Sequence, residues 1–146
     1  MTLTAGQRLT TVNLSQPFVV QAYCSSSLTQ STNTAADIVG ATVTFNTVGT
    51  NVQALIQGVF DMATTTPAAN FALGTCVVDG GAALGAECVL ENDTTNYRGT
   101  GTQVWLVTLA AAGSHTIKLQ GNLTSSAGVC TFNASHTGIT VTVFDF

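Results

Sequence analysis

Charge is what this chain has least of. Seven acids face three bases, Arg8, Arg98 and Lys118, and charged residues fill 7% of the 146 positions, against about 25% in an ordinary soluble domain. So few cations cannot supply the phosphate-neutralising footprint of a nucleic-acid binder, so no DNA or RNA partner is expected. No run approaches the roughly 18–20 unbroken apolar residues of a membrane helix, so no membrane insertion is expected either. The N-terminal Met1-Thr-Leu-Thr-Ala-Gly-Gln-Arg-Leu-Thr10 has neither the basic start nor the apolar run of a secretory signal. That pattern fits a protein made and used without secretion. Proline is confined to Pro17 and Pro67, and no window of about 11 residues keeps a helical period.

Recognisable chemistry is missing too. The four cysteines, at 24, 76, 88 and 130, show no Cys-x-x-Cys or Cys/His ligand spacing, which disfavours zinc. Cys24 shares strand parity with Phe18, Val20 and Ala22, and Cys130 with Phe132, so both read as small core residues. Cys76 and Cys88 flank Asp79-Gly80-Gly81 and could form a disulfide across a hairpin if oxidised.

His115 alternates with Ile117 and Leu119 and reads as a hydrogen-bonded core or interface histidine. His136 reads as a solvated turn residue. Neither has an acid or nucleophile at motif spacing, and no Gly-x-Ser-x-Gly elbow exists. No catalytic residue and no cofactor is therefore expected. Gly99-Thr-Gly101 lacks the lysine and third glycine of a phosphate cradle. Glu91-Asn-Asp-Thr-Thr-Asn96 could offer oxygen ligands to calcium but lacks the glycine and terminal glutamate of a standard loop. Asn13, Asn92, Asn122 and Asn133 match the glycosylation triplet, as chance allows in a chain this rich in Ser and Thr. Tyr97 and Trp105 could contribute to a sugar platform, although Trp105 sits mid-strand.

What the chain does have is short β-rich runs punctuated by glycine. Hydrophobic residues reach 45%, and Thr, Ser, Asn and Gln supply the polarity. One compositional region, long enough for a proper core, implies one domain. Residues 1–16 read as an extended N-terminal arm with scattered apolar anchors, followed by a domain over 17–146. Strands are expected at 17–24, 41–48, 51–62, 71–79, 83–91, 102–110, 114–120, 129–134 and 138–146, with a Ser/Thr/Asn loop at 25–37 and a polar loop at 91–97. Eight to ten strands at this spacing predict an all-β, antiparallel two-sheet sandwich, with a jelly roll as the best single architecture.

Some of these strands are apolar on both faces. In Gly101-Thr-Gln-Val-Trp-Leu-Val-Thr-Leu109 and again at 51–62, a second greasy face accompanies the first. A strand buried on both sides belongs inside something larger than one sandwich. Few lysines and prolines leave the sheet edges unblocked. Leu55, Val59, Trp105, Val107, Phe144 and Phe146 are accordingly the expected oligomer-interface residues.

The opening Leu3-Thr-Ala-Gly-Gln-Arg-Leu-Thr10, together with Gly40-Ala-Thr-Val-Thr-Phe45, Gly58-Val-Phe-Asp61, Trp105-Leu-Val-Thr-Leu109, Ala112-Gly-Ser-His-Thr-Ile-Lys-Leu-Gln120 and Ile139-Thr-Val-Thr-Val-Phe144, resembles small structural proteins of actinobacterial tailed phages. The resemblance covers most of the chain. It implies a tumour-necrosis-factor-like jelly roll, commonly a homotrimer, displayed on a virion. Because there is one sandwich and no shaft, the leading expectation is a capsid decoration protein on the outer capsid surface. Its arm, through Leu3, Arg8, Leu9 and Leu14, would dock on the major capsid protein. The alternative is a minor tail or fibre-tip protein that binds a host receptor. A complement-type head domain and an enzyme have less behind them.

Overall fold

Apolar–polar alternation governs what forms. The computed structural model describes residues 17–145, and among them ten strands and no helix appear. They are β1 (Phe18–Tyr23), β2 (Leu28–Gln30), β3 (Ala36–Thr47), β4 (Val52–Thr66), β5 (Phe71–Val78), β6 (Cys88–Glu91), β7 (Arg98–Leu109), β8 (Gly113–Leu123), β9 (Val129–Phe132) and β10 (Gly138–Phe144). The expected arm, with Leu3, Arg8, Leu9 and Leu14, and the terminal Phe146 lie outside the described residues.

The strands pair antiparallel in two sheets. One runs β1-β10-β4-β7, with β9 and β2 continuing beyond β10 along the same edge of β4; the other runs β3-β8-β5-β6. β4 organises the first sheet because its 15 residues are long enough for three neighbours. Val52–Ala63 pairs with β7 on one edge, while the other edge takes β10 and then β9. Consecutive strands mostly switch sheets, as β7 and β8 do, which is the Greek-key weave of a jelly roll.

The inner faces of the two sheets make the core. Val52, Ala54, Ile56 and Phe60 of β4 point in, as do Ile117, Leu119 and Leu123 of β8 and Ile139, Val141 and Val143 of β10, all buried. Phe60 sits at the centre, edge-to-face with Trp105 (centroids 6.5 Å apart) and with Phe132 (6.4 Å). Burying each such ring stabilises the fold by about 1.5–3 kcal/mol. Room for them comes from glycine: a Cβ at Gly74 would run into the Phe60 ring, and one at Gly121 into the Phe132 ring.

Three elements depart from the alternation pattern. β2 lies inside the stretch expected to be loop, pinned because the buried Gln30 amide donates to the carbonyls of Gly121 (2.7 Å) and Thr34 (3.0 Å). β3 starts at Ala36, ahead of a register shift between Asp37 and Thr42. There Gly40 adopts φ +88°, and a Cβ would meet Ser25 N and Tyr23 O at 2.6 Å. The hairpin around Gly80-Gly81 forms, but its ladder covers only Phe71–Gly74 against Cys88–Glu91, plus one bridge from Val77 to Ala83.

Candidate functional site

The outer faces of the two sheets, rather than a cleft, carry what is unusual. On the β1-β10-β4-β7 sheet the register lines up Val19, Thr142, Leu55 and Leu106 as one transverse row, and Gln21, Thr140, Gln57 and Val104 as the next. Leu106 is 67% exposed, Val19 59%, Val104 48% and Leu55 39%. Val59 and Phe144 lie half-buried on the same face. Between these residues the side chains are Thr and Gln, with no charge. Among the described residues the strand at its margin, β7, pairs only with β4.

Three of the expected interface residues, Leu55, Val59 and Phe144, thus share this face. Trp105 and Val107 do not. Both have inward parity: Trp105 is buried against Phe60 and donates its indole N–H to the Ala86 carbonyl (2.8 Å), and Val107 packs on the core. The exposed apolar residues of β7 are their neighbours Val104 and Leu106. Period-two alternation explains the exchange, since a shift of one residue swaps faces. In Val-Trp-Leu-Val both parities are apolar, so the sequence could not say which set goes in.

The far end of this face holds the sheet's ion pair. Asp61, 4% exposed, accepts from Arg98 Nε (2.7 Å) and Nη2 (2.8 Å) and from Asn133 Nδ2 (2.7 Å). Its backbone N–H donates to Thr137 Oγ1 (3.1 Å), and its carbonyl accepts from Asn133 N–H (2.8 Å). The hydrogen bonds from Arg98 hold the carboxyl below the usual carboxylate range, against a desolvation that raises it. One side chain thereby sews the β9–β10 turn to β4, a connection no motif announced.

The second sheet differs in carrying charge: it too exposes apolar side chains, Val39, Phe71 and Val89, but beside them stand ions. Asp37 accepts from Lys118 Nζ and Gln120 Nε2, both at 2.6 Å, and Thr44 and Thr116 hydroxyls lie 3.2 Å apart. Gln120 and then Lys118 lower the Asp37 carboxyl. Asp79, Glu87, Glu91 and Asp93, all exposed, belong to this sheet and its loops.

The remaining candidates resolve individually. His115 is buried, with Nδ1 2.7 Å from Asp79 Oδ2 and Nε2 3.0 Å from the Ala111 carbonyl, and so ties the β7–β8 turn to the end of β5. His136 is exposed in the β9–β10 turn. The four cysteines are buried free thiols. Cys88 pairs with Gly74, two residues from Cys76, a diagonal relation of roughly 7–8 Å that exceeds the usual disulfide span. The expected pairing is therefore absent. Burial pushes the Cys76 thiol up to about 12 and the Cys130 thiol to about 11.

In the loop offered to calcium, Asn92 turns inward, fully buried, and donates to Asn70 Oδ1 (2.9 Å), while Glu91 and Asp93 point out. The three do not converge. Among the described residues no His, Cys, Asp and Glu side chains are grouped to hold a metal. Tyr97 is exposed and Trp105 is core, so they form no common platform.

No protein-family model matches the chain, and no curated protein matches it in sequence. Solved structures do. A chain in the structure of infectious bursal disease virus, Gt strain, superposes with a TM-score of 0.54 at 14% identity, over 99% of this chain and 36% of that one. The VP2 subviral particle of the same virus gives 0.50 at 10% identity, over 99% and 41%. The fold is an all-β, two-sheet antiparallel sandwich of jelly-roll type. This chain spans well under half the length of either neighbour, and at such identities the likeness speaks for the fold alone.

Proposed function

We propose that the chain is a virion structural protein, a capsid decoration protein that forms homotrimers on the major capsid lattice of a tailed phage. The observation that carries this reading is the uncharged, apolar outer face on a jelly roll, a surface made for association rather than turnover. The virus particles named for its structural neighbours support the same direction. In this reading the sandwich packs in the tumour-necrosis-factor manner on the outside of the shell, after synthesis in the host cytoplasm. The segment holding Leu3, Arg8, Leu9 and Leu14 anchors on the capsid protein. Deleting about the first dozen residues should abolish co-sedimentation with empty shells and leave the jelly roll folded by circular dichroism. Undiminished binding by the shortened chain would overturn the anchoring role.

A tail-tip receptor binder is the second reading. What favours it is the clustering of hydroxyl and amide loops at one end of the sandwich. Asn70 Nδ2 donates to Ser125 Oγ (3.1 Å) and to the Ala127 carbonyl (2.6 Å), and Ser126 reaches Asn33 (3.5 Å). Copy number separates the two on a stained gel of purified particles. A decoration protein gives a band comparable with the capsid protein, a tail protein a trace.

A further inference from the structure

We propose that a second copy of this chain is the occupant of the β1-β10-β4-β7 outer face, and that it seats on the rows headed by Val19, Leu55, Val104 and Leu106. The inference deepens the self-association in the proposed function, on which it rests. It adds where the copies meet and which side is left over.

Charge placement argues for a like partner. The protein has seven acids and a net charge of −4, so two copies repel unless they meet where the acids are not. Asp37, Asp79, Glu87, Glu91 and Asp93 all belong to the β3-β8-β5-β6 sheet and its loops. Asp61 is neutralised by Arg98 at the far end of the face, and Asp145 accepts from the backbone N–H groups of Val48 (2.6 Å) and Gly49 (2.8 Å). The apolar rows hold no ion to desolvate and none to repel its twin. An anionic or cationic partner would find nothing to pair with there.

Area argues the same way. At about 4.8 Å between strands and 3.4 Å per residue, the four paired strands offer roughly 600 Å² of plane. A specific interface needs about 800 Å² per partner, and the face supplies most of that. Thr and Gln side chains among the leucines and valines supply hydrogen bonds without charge, as in the polar part of an ordinary interface. Seating copies on this face turns the acidic sheet outward, so whatever the assembled protein touches next meets the acidic side. A contact made there by a cationic surface would weaken as salt rises.

The test is sedimentation velocity on the full-length protein and two variants across micromolar concentrations. Leu106→Glu places a carboxylate in the apolar row, on the marginal strand β7 and on a side chain 67% exposed, so folding should survive and circular dichroism verifies it. Val48→Lys, at a residue 92% exposed in the β3–β4 turn, is the off-face control. The expected result is an oligomer for the unaltered chain and for Val48→Lys, and a single folded subunit for Leu106→Glu. An oligomer of unchanged size in Leu106→Glu overturns the proposal. So does a single subunit for the unaltered chain, which would mean that the face is covered from within the same molecule. Shell co-sedimentation keeps the two readings apart: association through this face without any shell binding sinks the decoration role and leaves this inference standing. Shell binding by a Leu106→Glu oligomer does the opposite.

Discussion

The two outer faces of this sandwich are built on the same backbone pattern and end with opposite surfaces. Both sheets send every second side chain inward to one shared core. Outward, the β3-β8-β5-β6 sheet presents Asp37, Lys118 and Gln120 joined by short hydrogen bonds, while the β1-β10-β4-β7 sheet presents Val19, Leu55 and Leu106 in a row. Solvent alone would favour the first arrangement on both sides. The difference gives the molecule one outer face that carries ions and one whose central rows carry none.

Two of the ion pairs, Arg98–Asp61 on one sheet and Lys118–Asp37 on the other, offer the sharpest way to break that comparison. Asp61 is buried and holds a turn, whereas Asp37 is exposed. Asp61→Ala leaves Arg98 and Asn133 without their acceptor and should cost about 2–4 kcal/mol in chemical denaturation. A cost near zero would show that the pair is incidental. Next in size is Gly74→Ala, which links the faces through the core: the added methyl meets the Phe60 ring, and overpacking costs about 1–3 kcal/mol. An unchanged melting temperature would mean that the ring moves freely.

Acid should separate the faces as well. Arg98 holds the Asp61 carboxyl below its ordinary value, so the charged form is favoured in the folded state. Its contribution is fully present above the unfolded value of about 3.9 and is lost as pH falls through the lowered folded value. Stability should therefore fall in acid below about pH 4, and Asp61→Asn should flatten that part of the curve. Asp37→Ala, on the exposed side, should change stability by about 0.5 kcal/mol or less. Equal effects from both aspartates would dissolve the distinction drawn here.

Much of this was legible in the sequence, for reasons that the misses make clear. β4 reads correctly because Val52, Ala54, Ile56 and Phe60 fill one parity, while Gln53 and Gln57 break the other despite Leu55 and Val59. β7 does not, because Val104, Trp105, Leu106 and Val107 are apolar on both parities, and only the partner strand decides that Trp105 goes in. β2 is held by the Gln30 amide, a long-range hydrogen bond that no local pattern encodes. The same holds for Gly74 under Phe60 and Asp61 under the β9–β10 turn, where the meaning of a residue lies in a strand far along the chain. Excess apolar surface was legible, and its place only once register put Val19, Leu55 and Leu106 side by side.

The smallest expected effect concerns what lies between the faces. All four thiols are buried, and the charged thiolate of Cys76 or Cys130 would have to form in an apolar interior, which is why their values stand near 12 and 11. The thiolate is the reactive form, so at neutral pH the folded protein should ignore a thiol reagent and release its reactivity only on unfolding. Reductant should change neither mass nor melting temperature. Rapid labelling of the native protein would mean that the sheets part readily, and then the two faces could not be treated as the fixed, opposite sides of one body.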